Sequence, residues 1–168
     1  MKRNARLRSL WAVRIVFFCV AAWFASSAAG QTLTLSLQQD PGGITLSGSG
    51  TESGSVDFGF LSRHAVAPSG ATISTSNGSW SLTTQFAVKA TLTSGTSGSY
   101  RLQAELGSSD AWRTWKINGN SIPSGLAVDV MQNGAYDSVL GQSLMIAIPD
   151  GSPSGAIDNT IHLTAIAN

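Results

Sequence analysis

Apolar and polar residues alternate along much of this chain. From Trp80 to Leu92 one side carries Trp80, Leu82, Phe86, Val88, Ala90 and Leu92, and the positions between carry Ser81, Thr83, Gln85, Lys89 and Thr91. A repeat of two marks a strand with one face in a core, because successive side chains leave a pleated backbone on opposite sides. Thr84 interrupts the apolar side and Ala87 the polar side. After Ser94-Gly95-Thr96-Ser97-Gly98-Ser99 the alternation resumes, with Tyr100, Leu102, Ala104 and Leu106 set against Arg101, Gln103 and Glu105. The pattern predicts an antiparallel hairpin whose two apolar sides share one core. Its first arm would be roughly 40 Å long at the usual rise per residue, which predicts a bend, a bulge or a change of sheet partway along.

The same period recurs on either side of this stretch. Leu33, Leu35 and Leu37 alternate with Thr32, Thr34 and Ser36, and Asp40-Pro41-Gly42-Gly43 then turns the chain. Ile44 to Leu46 reads as a short strand, and the Gly- and Ser-rich run from Ser47 to Ser55 as a connector. In Val56-Asp57-Phe58-Gly59-Phe60-Leu61 the pattern puts Val56, Phe58 and Phe60 on one face, with a bulge at Gly59. Ala71 to Ser76 follows, with Ile73 inward, then a tight turn at Asn77-Gly78. Trp112 and Trp115 are three residues apart, so a strand there holds at most one of them in a core. Alternation returns in Leu126, Val128 and Val130, in Leu144, Ile146 and Ile148, and in Ile161, Leu163, Ala165 and Ala167. Eight to ten short strands separated by turn signals, with no helical period, predict an all-β antiparallel β-sandwich.

Residues 1–30 have a different character. Lys2, Arg3, Arg6, Arg8 and Arg14 make a basic start, Ile15 to Phe24 is apolar, and Ala25-Ser26-Ser27-Ala28-Ala29-Gly30 is a row of small residues. That order predicts a secretory signal peptide, cleaved after Ala29 or Gly30, ahead of a single domain spanning 31–168. The apolar run is shorter than the roughly 20 residues of a membrane span. Residues 31–168 keep five of the ten basic residues and all nine acidic ones, a net charge of −4. So sparse and acidic a surface excludes nucleic acid and anionic membrane as partners. Cys19, the one cysteine, belongs to the leader, so the exported part is free of disulfides and relies on its core.

The chemistry on offer is thin. Nucleophilic catalysis needs a hydroxyl and a base, and only His64 and His162 supply an imidazole. Neither stands in a nucleophile signature, and the two lack ligand spacing for zinc. Asp40, Asp129, Asp137, Asp150 and Asp158 read as turn or strand-end residues, with Asp150 or Asp158 as conceivable calcium ligands. No catalytic residue, cofactor or metal site is assigned, and the chain is expected not to be an enzyme. Trp112, beside Asp110 and Thr114, and Tyr100 are the aromatic candidates for stacking on a sugar ring, which makes carbohydrate binding the alternative function.

The terminal runs Gln31 to Leu37 and Asn159 to Asn168 are amphipathic, and each is able either to pair within the domain or to complete the sheet of another copy. Val56-Asp57-Phe58-Gly59-Phe60-Leu61 and the closing Asn159-Thr160-Ile161-His162-Leu163-Thr164-Ala165 resemble segments of bacterial secreted surface domains of the spore-coat-U and pilin-like type. The chain departs from that pattern in lacking a cysteine pair and a next-to-last aromatic residue. The resemblance implies an immunoglobulin-like sandwich at the cell surface, in the periplasm or outside the cell. It further implies a subunit of a fibre, pilus or coat, or an adhesion domain. The partners expected are copies of itself joined by strand addition, or a surface glycan.

Overall fold

Trp80, Leu82, Thr84, Phe86, Val88 and Ala90 all point into a core, and the strand that carries them organises the molecule. The structure is a computed structural model that describes residues 11–21 and 31–168. The described residues form eleven strands: β1 (Trp11–Ala21), β2 (Thr32–Gln38), β3 (Ser53–Leu61), β4 (Ala71–Ser76), β5 (Ser79–Ser94), β6 (Tyr100–Leu106), β7 (Thr114–Ile117), β8 (Asn120–Ser121), β9 (Val128–Gly134), β10 (Leu140–Pro149) and β11 (Gly155–Ala167). One sheet has the order β3-β1-β11-β6-β9, and the other β2-β5-β10-β7-β8, with β4 also on β5. The two sheets enclose one apolar interior, so the protein is an all-β sandwich.

The neighbour relations β2-β5-β10-β7 and β6-β11-β1 are those of strands ABED and CFG in an immunoglobulin domain. The place of strand G is filled by β1, which comes first in the chain. It runs parallel to β11, in an otherwise antiparallel sandwich.

β5 and β6 do not form the expected hydrogen-bonded hairpin. They lie in opposite sheets, each with its apolar side turned to the shared core, which their inward alternation permits equally well. β5 itself stays in one sheet. One edge pairs with β10 from Ser79 to Val88, and the other is divided between β4, along Ser79 to Thr84, and β2, along Ala87 to Ser94. At the junction of those two partners Gly43 lies against the strand so closely that a Cβ would stand 1.9 Å from the Gln85 carbonyl oxygen. Thr84 belongs on the apolar side because its buried hydroxyl donates to the Gly70 carbonyl at 2.7 Å and accepts from the Ile44 N–H at 3.1 Å. Two loops are thereby fastened to the sheet, and Ile44 and Leu46 fill core positions without forming a strand.

The expected bulge in β3 is present. Gly59 has φ +65°, its N–H bonds to Asp57 Oδ1 at 2.8 Å, and the register with β1 shifts between Val13 and Arg14. The extra residue reverses the alternation beyond it. Phe60, expected inward, is 74% exposed, and Leu61 is buried instead.

Candidate functional site

The most informative place in the fold is the position of β1. Its backbone pairs on one side with β11, from Trp11 opposite Gly155 to Ala21 opposite Ala165, and on the other with β3, from Trp11 opposite Leu61 to Phe18 opposite Ser53. Alternate side chains Val13, Ile15, Phe17 and Cys19 enter the core, and the first three are all but completely covered. The Phe17 ring meets Phe86 of the facing sheet with centroids 4.8 Å apart. Burial, and to a lesser extent the charge of Glu52, raises the Cys19 thiol to about 12.

Arg14, Val16 and Phe18 lie on the other face. Phe18 stacks on His162 of β11 at 6.0 Å. Arg14 stands in register with Asp57 of β3 and Asp158 of β11, and all three are exposed. An anionic residue therefore flanks this cation on both neighbouring strands, a favourable cross-strand arrangement.

The segment read as a leader thus supplies an interior strand of the sandwich, and the domain described includes 11–21 together with 31–168. The small-residue row and both expected cleavage points lie outside the described residues. Reading the sequence as a leader followed by a domain missed this site. The signal that could have found it is the alternation of Val13, Ile15, Phe17 and Cys19 with Arg14.

Both terminal strands are paired within the domain, β2 at an edge beside β5 and β11 in the middle of its sheet between β1 and β6.

The two aromatic candidates part company. Tyr100 is 0% exposed, with its ring 5.5 Å from that of Tyr136, so it offers no face to a ligand. Burial, then the neighbouring Tyr136, raises its pKa to about 12. Trp112 is 57% exposed, on the loop before β7, while Trp115 is buried on β7. Asp110 organises that loop. Its Oδ1 accepts the backbone N–H groups of Trp112 and Arg113 at 3.1 and 3.2 Å, and its Oδ2 accepts Trp115 Nε1–H at 3.0 Å and an Arg113 guanidinium N–H at 3.2 Å. Burial pushes the Asp110 pKa up, but these hydrogen bonds and the Arg113 charge outweigh it and hold the carboxyl below its usual range. A cleft of about 330 Å³ adjoins the loop, with Ser109, Ser121 and Ser124 among its polar walls and Ile122 and Trp115 among its apolar ones.

The remaining candidates are dispersed. His64 lies in the loop after β3, and His162 on the outer face of β11 beside Glu105 of β6. Asp150 pairs with Arg63, which also bonds to the Ser76 carbonyl, and Asp137 lies near Lys89. No group of three or more His, Cys, Asp or Glu among the described residues is placed to hold a metal ion. No protein-family model matches this chain, and no curated protein matches it.

Proposed function

We propose that residues 31–168 serve as a non-enzymatic structural protein of the bacterial surface or extracellular space, a subunit of a fibre, pilus or coat or an adhesion domain, whose sandwich is completed by an added strand. One observation carries this reading: the strand in the G position, with its side chains in the core, is the segment whose sequence reads as a removable leader. Without β1, the strands β3 and β11 stand about two strand spacings apart, near 10 Å. β11 then has an unpaired edge, β3 has lost the one strand it pairs with, and the core side chains that β1 covered lie open between them. A gap of that kind takes an extended segment of another polypeptide through main-chain hydrogen bonds and alternate side-chain pockets. The likeness of the Phe58-Gly59 segment and of the closing strand to spore-coat-U and pilin-like domains supports the same reading.

The test is to export the full chain from a bacterium, read the N-terminus of the recovered protein, and examine its state by size-exclusion chromatography and electron microscopy. A start at Gly30 or Gln31, in a complex or polymer, is expected. Recovery with Met1 still attached, or as a processed monomer without a bound strand, overturns the proposal.

A second reading, sugar binding, is favoured by the exposure of Trp112 on the loop adjoining the cleft. Polysaccharide titrations should then change the tryptophan fluorescence of the native protein but not of Trp112→Ala. Identical spectra throughout dispose of it.

A further inference from the structure

We infer that the strand completing the sheet is selected by charge as well as by apolar pattern: it carries a cation on its outward face at the position Arg14 occupies, between Asp57 and Asp158. The inference rests on the reading that β1's place is one another polypeptide comes to fill.

The argument starts from register. Arg14 stands in backbone register with Asp57 on one side and Asp158 on the other, so β1 separates two carboxylates carried by its flanking strands. Both are exposed, and among the described residues neither is within salt-bridge distance of any basic group, Arg14 included, so the attraction is between neighbouring charges and not a contact pair. The basic groups of the domain are engaged elsewhere: Arg63 with Asp150, Lys89 near Asp137, Arg101 near Asp129 and Arg113 with Asp110, while Lys116 lies on β7 of the other sheet. Glu52, whose carbonyl accepts the Cys19 N–H, adds a further acid near the far end of β1. An incoming strand therefore meets a negative outer rim above the uncovered core side chains. A neutral strand leaves Asp57 and Asp158 unneutralised, and an acidic one is repelled by both.

This requirement also bears on where the strand comes from. Within 31–168 the segment with matching alternation and an edge position is β2, but it has no basic residue, and moving it would expose Leu33, Leu35 and Leu37. β5, β6 and β7 carry Lys89, Arg101 and Lys116 but are interior to their sheets. The occupant is accordingly a strand of a sequence not found in 31–168, apolar at the four inward positions and basic at the outward position that Arg14 takes between Val13 and Ile15.

The full chain, made in the cytosol with its leader retained, is given a protease site between residues 22 and 30. It is cut after folding, so that β1 is held without a covalent link. Labelled peptides with the sequence of residues 11–21 then compete for the gap in mild denaturant, carrying Arg, Ala or Glu at position 14, with Ile15→Asp as a control. The Arg peptide should bind about tenfold or more tightly than the Glu peptide, with Ala between them. The difference should shrink in about 1 M salt, where charges on a surface are screened. In a chain carrying Asp57→Lys and Asp158→Lys the order of the Arg and Glu peptides should invert. In the uncut chain Arg14→Glu should lower the melting temperature, and adding the two lysines should restore it. Equal binding of the Arg, Ala and Glu peptides overturns the charge selection but leaves the strand replaceable. Failure of every labelled peptide to enter, or entry of Ile15→Asp as readily as the parent, overturns the strand-addition reading itself.

Discussion

The rings of Phe17 and Phe86 meet across the sandwich with centroids 4.8 Å apart and planes inclined at 39°. One belongs to the segment whose sequence reads as a leader and the other to the middle of the longest strand, so the interior of this domain is shared between the two. Truncating either ring removes a buried aromatic from a close-packed site. In the leader-retaining chain Phe17→Ala should cost about 3–5 kcal/mol in urea unfolding. The Phe17/Phe86 double-mutant cycle should give a coupling of about 0.5–1.5 kcal/mol. A loss below about 1 kcal/mol for Phe17→Ala would mean that β1 is not seated in the core.

Cys19 provides a label for the same strand. It is buried, and its thiol is raised to about 12 by burial first and by the Glu52 charge second, so at neutral pH it is both covered and protonated. Thiol reagents should modify the folded full chain about a hundredfold or more slowly than the urea-unfolded one, at a rate set by opening of β1. Immediate modification of the native protein would contradict the packing described.

Tyr100 holds an uncompensated polar atom. Its Oη is buried and has no hydrogen-bond partner among the described residues. Tyr100→Phe keeps the ring and removes the desolvated hydroxyl, so it should raise stability by about 1 kcal/mol at neutral pH. The phenol is raised from 10.0 to about 12 in the folded protein. The folded state therefore keeps its proton longer than the unfolded state, and stability is fully present below pH 10 and falls as pH rises towards 12. Tyr100→Phe should remove that part of the alkaline decline in a series of denaturation curves.

The reverse sign applies to Asp110. Its carboxyl is held below the usual value of 3.8, so its contribution is present above that pH and is lost as pH falls through the folded pKa. Asp110→Asn weakens the acceptor for Trp115 Nε1–H and the Arg113 guanidinium and should cost about 1–3 kcal/mol at pH 7. It should also flatten the acid limb of the stability curve. An unchanged acid limb would remove Asp110 from the account of that loop.

The all-β class and most inward residues could be read from the chain, because a period of two is a local property and Leu82, Ile117, Ile146 and Leu163 each follow it into the core. Pairing is not local. Nothing in the alternation of β5 and β6 distinguishes two strands bonded edge to edge from two strands in opposite sheets of a sandwich, and the structure has the second. Phe60 illustrates another gap: Gly59 signals a bulge, but the number of residues the bulge inserts decides whether Phe60 or Leu61 faces inward. At the candidate sites, the spacing of Trp112 and Trp115 allows at most one of them in a core without saying which. The structure buries Trp115 on β7 and leaves Trp112 in the preceding loop. The burial of Tyr100 depends on Tyr136 and Gly134 approaching from elsewhere in the chain. The position of β1 was hidden for a different reason, since its composition satisfies the pattern of an export leader and that of an amphipathic strand at once.

Among the described strands β1 comes first in sequence and β11, its long partner, comes last. Their union brings together residues 11–21 and 155–165, far apart in sequence, the slowest kind of contact to form. If the leader is removed as proposed, a chain clipped before that union forms is left with β11 unpaired on one side. On that proposal the moment of clipping would decide whether the molecule closes on itself or stays receptive to an outside strand.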